Sequence, residues 1–450
     1  MFRRINNITT VFIMFVVLLL KTGLSQDSLS FTVKEAQKYA LENNYDVRNA
    51  RLNIDVADKQ RWEVTASGFP QVTISAQYQN LIDIPTQLIP GEFFGEPAGS
   101  TIPVKFGKPH NATYGISVSQ LIFSGSYFVG LQASSIYLQF SEQNHRVTEL
   151  QVQESVAQTC YLILVAEENR AILNTSLENL RKTHAEVSAM NQEGFTEDTD
   201  VKQLAIAVSS MENNISSLDL QIDNAYKLLK MQLGIDFDKK VKLKENLSEL
   251  IGRTDVNDLL QHPFEKEENT SYKLLLTNQR LADLTLKNEM TGFLPTISAF
   301  GRMERNAQRD EFNFFNSDLD WFPTTVVGLQ FSWPIFSGGQ KIFKIQKAKI
   351  ELKQAELQLK QAGQGLQLQY DKAQADLSTA YKKFKNSTKS RQLSEEIYET
   401  NLFKFKEGML SSLDLIQSYN QYLQSQSEYM ASESELLSAQ NTLDKLLENY

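Results

Sequence analysis

The chain has 450 residues, with 45 Lys+Arg against 54 Asp+Glu, a formal net charge of −9 and one cysteine, Cys160. The acidic balance excludes a nucleic-acid surface of the usual basic kind, and the lone cysteine excludes an intrachain disulfide framework. His110, His145, His184 and His262 lack metal-ligand spacing, and no phosphate-binding glycine loop or nucleophile elbow is present, so the expectation is no catalysis, no metal and no cofactor.

Residues 1–25 read as a secretory signal, with Arg3 and Arg4, an apolar run from Val11 to Leu20, and small residues at Gly23-Leu24-Ser25. The run is too short for a membrane-spanning helix, which needs about 20 residues. Two structural repeats are expected beyond it, at 26–234 and 271–450, separated by a mixed connector at 235–270.

The first repeat opens on the capping box Thr32-Val33-Lys34-Glu35, which predicts a helix running to Ser67. From Pro70 the period becomes two. Val72, Ile74, Ala76 and Tyr78 alternate with Gln71, Thr73, Ser75 and Gln77, predicting a strand over 70–80. Ala112, Tyr114, Ile116 and Val118 predict its partner over 112–123. Residues 81–111 hold five of the ten prolines and read as a surface loop.

Residues 131–193 contain neither Gly nor Pro and predict a long helix. A tip near 194–200 and a returning helix to Leu233 complete a hairpin. The connector is expected to hold a short strand at Val241–Leu243 and a short helix around Asn257–Gln261.

The second repeat retraces this order. A helix over about 271–290 leads to a strand at 295–304, a loop over about 306–323, and a strand at 324–334. A long helix from Gln340, with a soft spot at Gly363 and Gly365, reaches a tip near 408–414, and a closing helix follows. The echo is literal at the joints: Gly292-Phe293-Leu294-Pro295 repeats Gly68-Phe69-Pro70, and Ile335-Phe336-Ser337-Gly338 repeats Ile122-Phe123-Ser124-Gly125. Gly125 to Gly194 is 69 residues and Gly338 to Gly408 is 70. As helices these arms would each measure roughly 100 Å.

Strands of this length with one apolar face fit a tilted crossing of a bilayer. Tyr78, Tyr114, Trp321, Phe322 and Trp333 near strand ends fit interface aromatics. Four strands cannot close a barrel, and an open sheet edge in lipid leaves backbone groups unpaired, so several chains must share one barrel. Residue pattern alone leaves their number open.

The duplicated layout, the Phe-(Leu)-Pro strand starts at Pro70 and Pro295, and the Ile-Phe-Ser-Gly returns at Gly125 and Gly338 resemble the TolC family of outer-membrane channel-tunnels across essentially the whole mature chain. That resemblance implies a homotrimer whose chains each contribute four strands to a shared twelve-stranded outer-membrane β-barrel. The barrel would be continuous with a long periplasmic α-helical barrel. The implied function is an exit duct of a tripartite efflux or type I secretion system in a Gram-negative bacterium. The implied partners are a periplasmic adaptor and an inner-membrane transporter of RND or ABC type.

By the same resemblance, Gly194, Phe195 and Thr196 with Gly408, Met409 and Leu410 are candidate adaptor-contact tips, though Glu193 and Glu407 replace the family's valine. Asp414 and its first-copy counterpart Asp200 are candidate gate residues, with Gln417 where a second aspartate stands in some members. The plainer alternatives are helix-terminal carboxylates and local tip packing. The competing overall reading is a periplasmic coiled-coil structural or adaptor-like protein.

Overall fold

The computed structural model describes residues 29–252 and 256–449; the expected signal segment lies outside them. The chain divides into two units by its internal contacts: one holds residues up to 52, 143–273 and from 362 onward, the other 53–142 and 274–361.

The first unit begins with β1 (Leu29–Phe31), which later pairs in parallel with β6 (Val241–Leu243). The capping box starts α1 (Val33–Asn43): Thr32 Oγ1 accepts from the Glu35 N–H at 3.2 Å, and Glu35 Oε2 accepts from the Thr32 N–H at 2.9 Å. The helix does not run on to Ser67 as expected. Asn44 turns extended (φ −60, ψ 135), and its Oδ1 accepts from the amides of Asp46 and Val47, capping a second helix, α2 (Tyr45–Ala66). A buried asparagine offering its own side chain to the following amides breaks a helix without Gly or Pro.

Helix α3 (Gly125–Gln192) and α4 (Asp198–Leu233) form one hairpin, and α8 (Gln340–Lys406) and α9 (Ser412–Leu447) the other. Near the tips one core takes residues from all four: Leu177, Leu180 and Val187, then Leu204 and Met211, then Tyr398 and Phe405, then Leu415 and Tyr419. A second core joins Ala36 and Ala40 of α1 to Val156, Cys160 and Ile163 of α3, Leu229 and Leu233 of α4 and Leu437 of α9. Small residues on α1 permit that close approach.

The connector contains α5 (Leu247–Gly252), which the sequence pattern did not indicate, and α6 (Val256–Gln261), followed by α7 (Thr270–Thr291). Gly363 and Gly365 do not soften α8, which is unbroken. A Cβ at Gly363 would meet the Tyr272 ring at 3.2 Å, so the glycine gives room to an aromatic side chain.

The second unit carries a four-stranded antiparallel sheet of β2 (Gln71–Asn80), β5 (His110–Phe123), β7 (Thr296–Arg309) and β8 (Phe322–Ser332), in that order. At their loop ends β7 runs five residues beyond the expected 304 and β8 starts two residues before the expected 324, which shortens the loop between them to 310–321, while β8 ends two residues short of the expected 334. The stretch 81–111 is not simply a loop: β3 (Thr86–Pro90) and β4 (Thr101–Lys105) pair antiparallel within it. Prolines sit inside both strands, Pro90 and Pro103, which a two-stranded ribbon tolerates where a central strand would not.

Register decides what each face carries. Ile74, Ile116, Met303 and Thr325 form one row across the sheet, and Val72, Val118, Gly301 and Val327 the next, followed by Ala299 with Leu329. The other face reads Ser75, Gly115, Glu304, Thr324 and then Thr73, Ser117, Arg302, Val326. One face is therefore largely apolar across all four strands, with Gln120, Arg305 and Thr325 among its members, and the other mostly polar. Ile74 and Val327 are each 80% exposed, Leu329 76%. No helix among the described residues is long and apolar enough to cross a membrane.

Candidate functional site

The two hairpin tips share one backbone solution. Gly194 has φ +82; its N–H donates to Asn191 O and that of Phe195 to Met190 O, both at 2.9 Å. Gly408 has φ +70; its N–H donates to Phe405 O and that of Met409 to Lys404 O, again both at 2.9 Å. This double closure around a left-handed residue satisfies the last helical carbonyls. A Cβ on either glycine would meet nothing within 4 Å, so backbone conformation alone requires glycine there.

Beyond the glycines the tips present large apolar side chains to the outside: Phe195 is 78% and Met409 76% exposed, with Leu413 also exposed. Thr196 turns inward, its Oγ1 donating to Val187 O at 3.3 Å and its carbonyl accepting from Asn191 Nδ2 at 2.7 Å. Leu410 packs against the core near the tips.

The two aspartates are not equivalent. Asp414 is exposed in the first turn of α9, where Ser411 caps the helix, accepting from the Asp414 N–H at 3.2 Å and donating to its carboxylate at 2.7 Å. Asp200, half-buried at the start of α4, accepts a hydrogen bond from Ser412 of the other hairpin. Gln417, exposed and three residues beyond Asp414, adds no charge. Ser411 and Ser412 are functional residues outside the sequence expectations, although Ser-Ser-x-Asp before an apolar helix is a recognisable capping pattern.

Farther along the same helices lies a buried ionisable group. Glu433 is 2% exposed; its Oε1 accepts from the Tyr429 hydroxyl at 2.7 Å, and the Arg391 guanidinium lies 4.6 Å from the centre of the Tyr429 ring. Burial, with Glu168 adding a like charge, pushes its carboxyl up to about 7 against the opposing pull of Tyr429 and Arg391. Burial likewise raises Asp444 to about 6. Both shifts have a structural cause and neither group forms a catalytic constellation with a nucleophile. Among the described residues no His, Cys, Asp and Glu side chains gather into a set of three fit to hold a metal.

The strand joints lie in the second unit. Pro70 and Pro295 immediately precede β2 and β7; Gly125 opens α3; Gly338 stands two residues before α8. A Cβ at Gly125 would come within 2.7 Å of Thr291 Cβ and 2.9 Å of Leu294 Cδ1. Gly338 instead has open surroundings and φ +60. In the first copy the Tyr127 ring covers Gly68 and its hydroxyl donates to Thr65 O; in the second, Trp333 Nε1 donates to Phe293 O at 3.0 Å and Lys341 to Gly292 O.

A sheet with one apolar face, two long helical hairpins and their duplication define a family as well as a fold. Residues 37–234 and 278–449 match the family described as outer membrane efflux protein, one segment for each repeat. The chain belongs to that family. No curated protein sequence matches it, but solved structures share its fold. CusC superposes with a TM-score of 0.73 at 16% identity, covering 92% of both chains. The Campylobacter jejuni CmeC outer membrane channel gives 0.70 at 18% identity, covering 92% of this chain and 85% of the other. The Vibrio cholerae outer membrane protein VceC gives 0.71 at 14%, covering 92% and 95%.

This outer membrane efflux protein is thus an exit duct in the outer membrane with a large periplasmic portion, and it is not an enzyme. Its fold is the family's: a four-strand share of a shared β-barrel and long helices of an α-helical tunnel, duplicated within one chain. The periplasmic coiled-coil alternative falls, because it has no use for a membrane-facing sheet. Family members work with periplasmic adaptors and inner-membrane transporters.

Proposed function

We propose that three copies of this chain assemble into one twelve-stranded duct that receives solute from an adaptor-linked inner-membrane transporter, of RND or ABC type, and releases it outside the cell. The observation that carries this reading is the sheet itself. Its largely apolar face extends across all four strands, and its two outer strands, β2 and β8, each have one edge that no strand among the described residues pairs. In lipid those edges must be paired by neighbouring copies.

At the helical end, Phe195, Met409 and Leu410 form the adaptor contact, and Asp414 lines a constriction that favours cations, while Asp200 holds the closed arrangement. The apolar exposure of the first two and the unburied carboxylate of Asp414 support these roles. Energy comes from the transporter, so the duct needs only a polar lumen. Strand faces bearing Thr, Ser and Gln suit passage of chemically varied solutes.

The deciding experiment isolates the protein from outer membranes and measures its mass in detergent and its conductance in planar bilayers. A heat-labile oligomer of three chains with ion conductance is the expected result. A monomer, or an oligomer without conductance, would overturn the reading.

A further inference from the structure

The apolar side of the sheet does not end with its strands. Register places Tyr78 opposite Ala112, and Tyr114 between Ala76 and Arg305, on the same face that turns Ile74 and Ile116 toward the lipid. The loop 310–321 between β7 and β8 returns over that side. Phe312 stands edge-on to Tyr78 with ring centres 5.2 Å apart, Phe314 contacts both Tyr78 and Trp321 at 5.9 Å, and Trp321 stands edge-on to Tyr114 at 4.8 Å.

The loop is pinned there at both ends. Lys108 pairs with Asp310, Arg309 Nη2 donates to Asp320 O at 2.5 Å, and the Tyr78 hydroxyl lies 2.7 Å from His110 Nδ1. What this cluster turns outward is Phe315, 92% exposed, and the free side of Phe312, 56% exposed. Arg305, also exposed, lies in the row of Tyr114.

The geometry points to a lipid anchor: residues 310–321 lie against the outer leaflet on the outside of the barrel, with Phe312 and Phe315 at the boundary between headgroups and acyl chains. Two features favour lipid as the occupant. The cluster is continuous with the lipid-facing rows of β2 and β5. Its outward groups are aromatic, as interfacial anchors are. The loop, at the strand ends away from the helices, is thereby drawn to the barrel's outer side and does not arch across its mouth. The inference rests on the barrel assignment.

The test places single cysteines in a Cys160→Ser background at Phe315, at Val327 on the lipid-facing rows, and at Gln330 on the polar face. Each is labelled with an environment-sensitive fluorophore, and the intact oligomer is reconstituted into phosphatidylcholine–phosphatidylglycerol vesicles. Anchoring predicts that the label at 315 is quenched by lipid carrying a headgroup nitroxide at least about twofold more than the label at 330, the depth expected of a group seated at the headgroup–acyl boundary. The label at 327 should respond to a mid-chain nitroxide.

If the label at 315 responds to iodide and not to lipid, the loop projects into water and the anchor is wrong. If it responds to neither, protein covers it, as the 81–111 segment or a second copy would, and the anchor is again wrong. A label at 327 blind to lipid would bring down the barrel assignment itself, which separates that failure from the failure of the loop.

Discussion

Ser412, on the hairpin of α8 and α9, donates a hydrogen bond to Asp200, on the hairpin of α3 and α4, although 212 residues separate them in sequence. The bond ties the two tips of one chain together. A hydrogen bond to a charged acceptor contributes roughly 1.5–3 kcal/mol, enough to shift a closed-to-open equilibrium about tenfold or more. Asp200→Ala and Ser412→Ala should therefore raise the open probability of the reconstituted duct to a similar extent, and the double variant should add little. Additive effects in single-channel recordings would show that the two residues act separately.

Asp414 should behave differently, because among the described residues no bond from the other hairpin engages it. Asp414→Ala is expected to lower the preference for cations and leave open probability near that of the parent. Ser411 still caps the backbone of α9 in this variant. Unchanged reversal potentials in a salt gradient would remove Asp414 from the constriction.

The exposed tip residues separate docking from folding. Phe195→Asp and Met409→Asp alter side chains that lie mostly in solvent, so the oligomer should form at normal yield. Export in cells, read as resistance to toxic compounds, should fall, as should crosslinking of the adaptor to the tips. Full resistance with both substitutions present would exclude these residues from the contact.

Gly125 and Gly338 look interchangeable as motif residues, yet they fail for different reasons. Gly125→Ala forces a Cβ against Thr291 and Leu294 and should cost about 1–3 kcal/mol through overpacking. Gly338→Ala meets no neighbour but must hold φ +60, which costs about 1 kcal/mol. Thr291→Ser, which deletes a methyl facing Gly125, should partly rescue the first and leave the second unchanged. Thermal dissociation of the oligomer measures both, and equal rescue would refute the distinction.

Local chemistry accounts for which parts of the fold were readable. Val72, Ile74 and Tyr78 face one way because every second residue of β2 is apolar, and no tertiary information is needed to see it. The β3–β4 pair was hidden because its two five-residue strands lie among prolines, which read as punctuation. The break at Asn44 depends on a side chain choosing the backbone ahead of it, a choice that composition does not record. The Asp200–Ser412 bond is out of reach for any local pattern: aligning the repeats makes Asp200 the counterpart of Asp414, whereas packing makes it the partner of Ser412. Phe312 and Phe314 are loop residues by pattern, and only the return of the loop over Tyr78 gives them a packing role.

The buried Glu433 gives the helical unit a pH dependence whose sign follows from linkage. Its carboxyl titrates near 7 when folded against an ordinary 4.5, chiefly because of burial, so the folded chain holds a proton that the unfolded chain releases in between. The associated stabilisation is complete below about 4.5 and is lost as pH rises through about 7, for a total on the order of 3 kcal/mol. Asp444, raised from 3.8 to about 6, acts in the same direction over a lower range. Groups from three helices face Glu433: Glu168 on α3, Arg391 on α8 and Tyr429 on α9. The midpoint of thermal unfolding should thus fall between pH 5 and pH 8, the span that brackets this titration. Glu433→Gln keeps the shape and the acceptor for Tyr429 but cannot ionise. It should flatten that fall and leave the variant more stable than the parent at the alkaline end. A parallel fall in both proteins would assign the pH dependence to other groups.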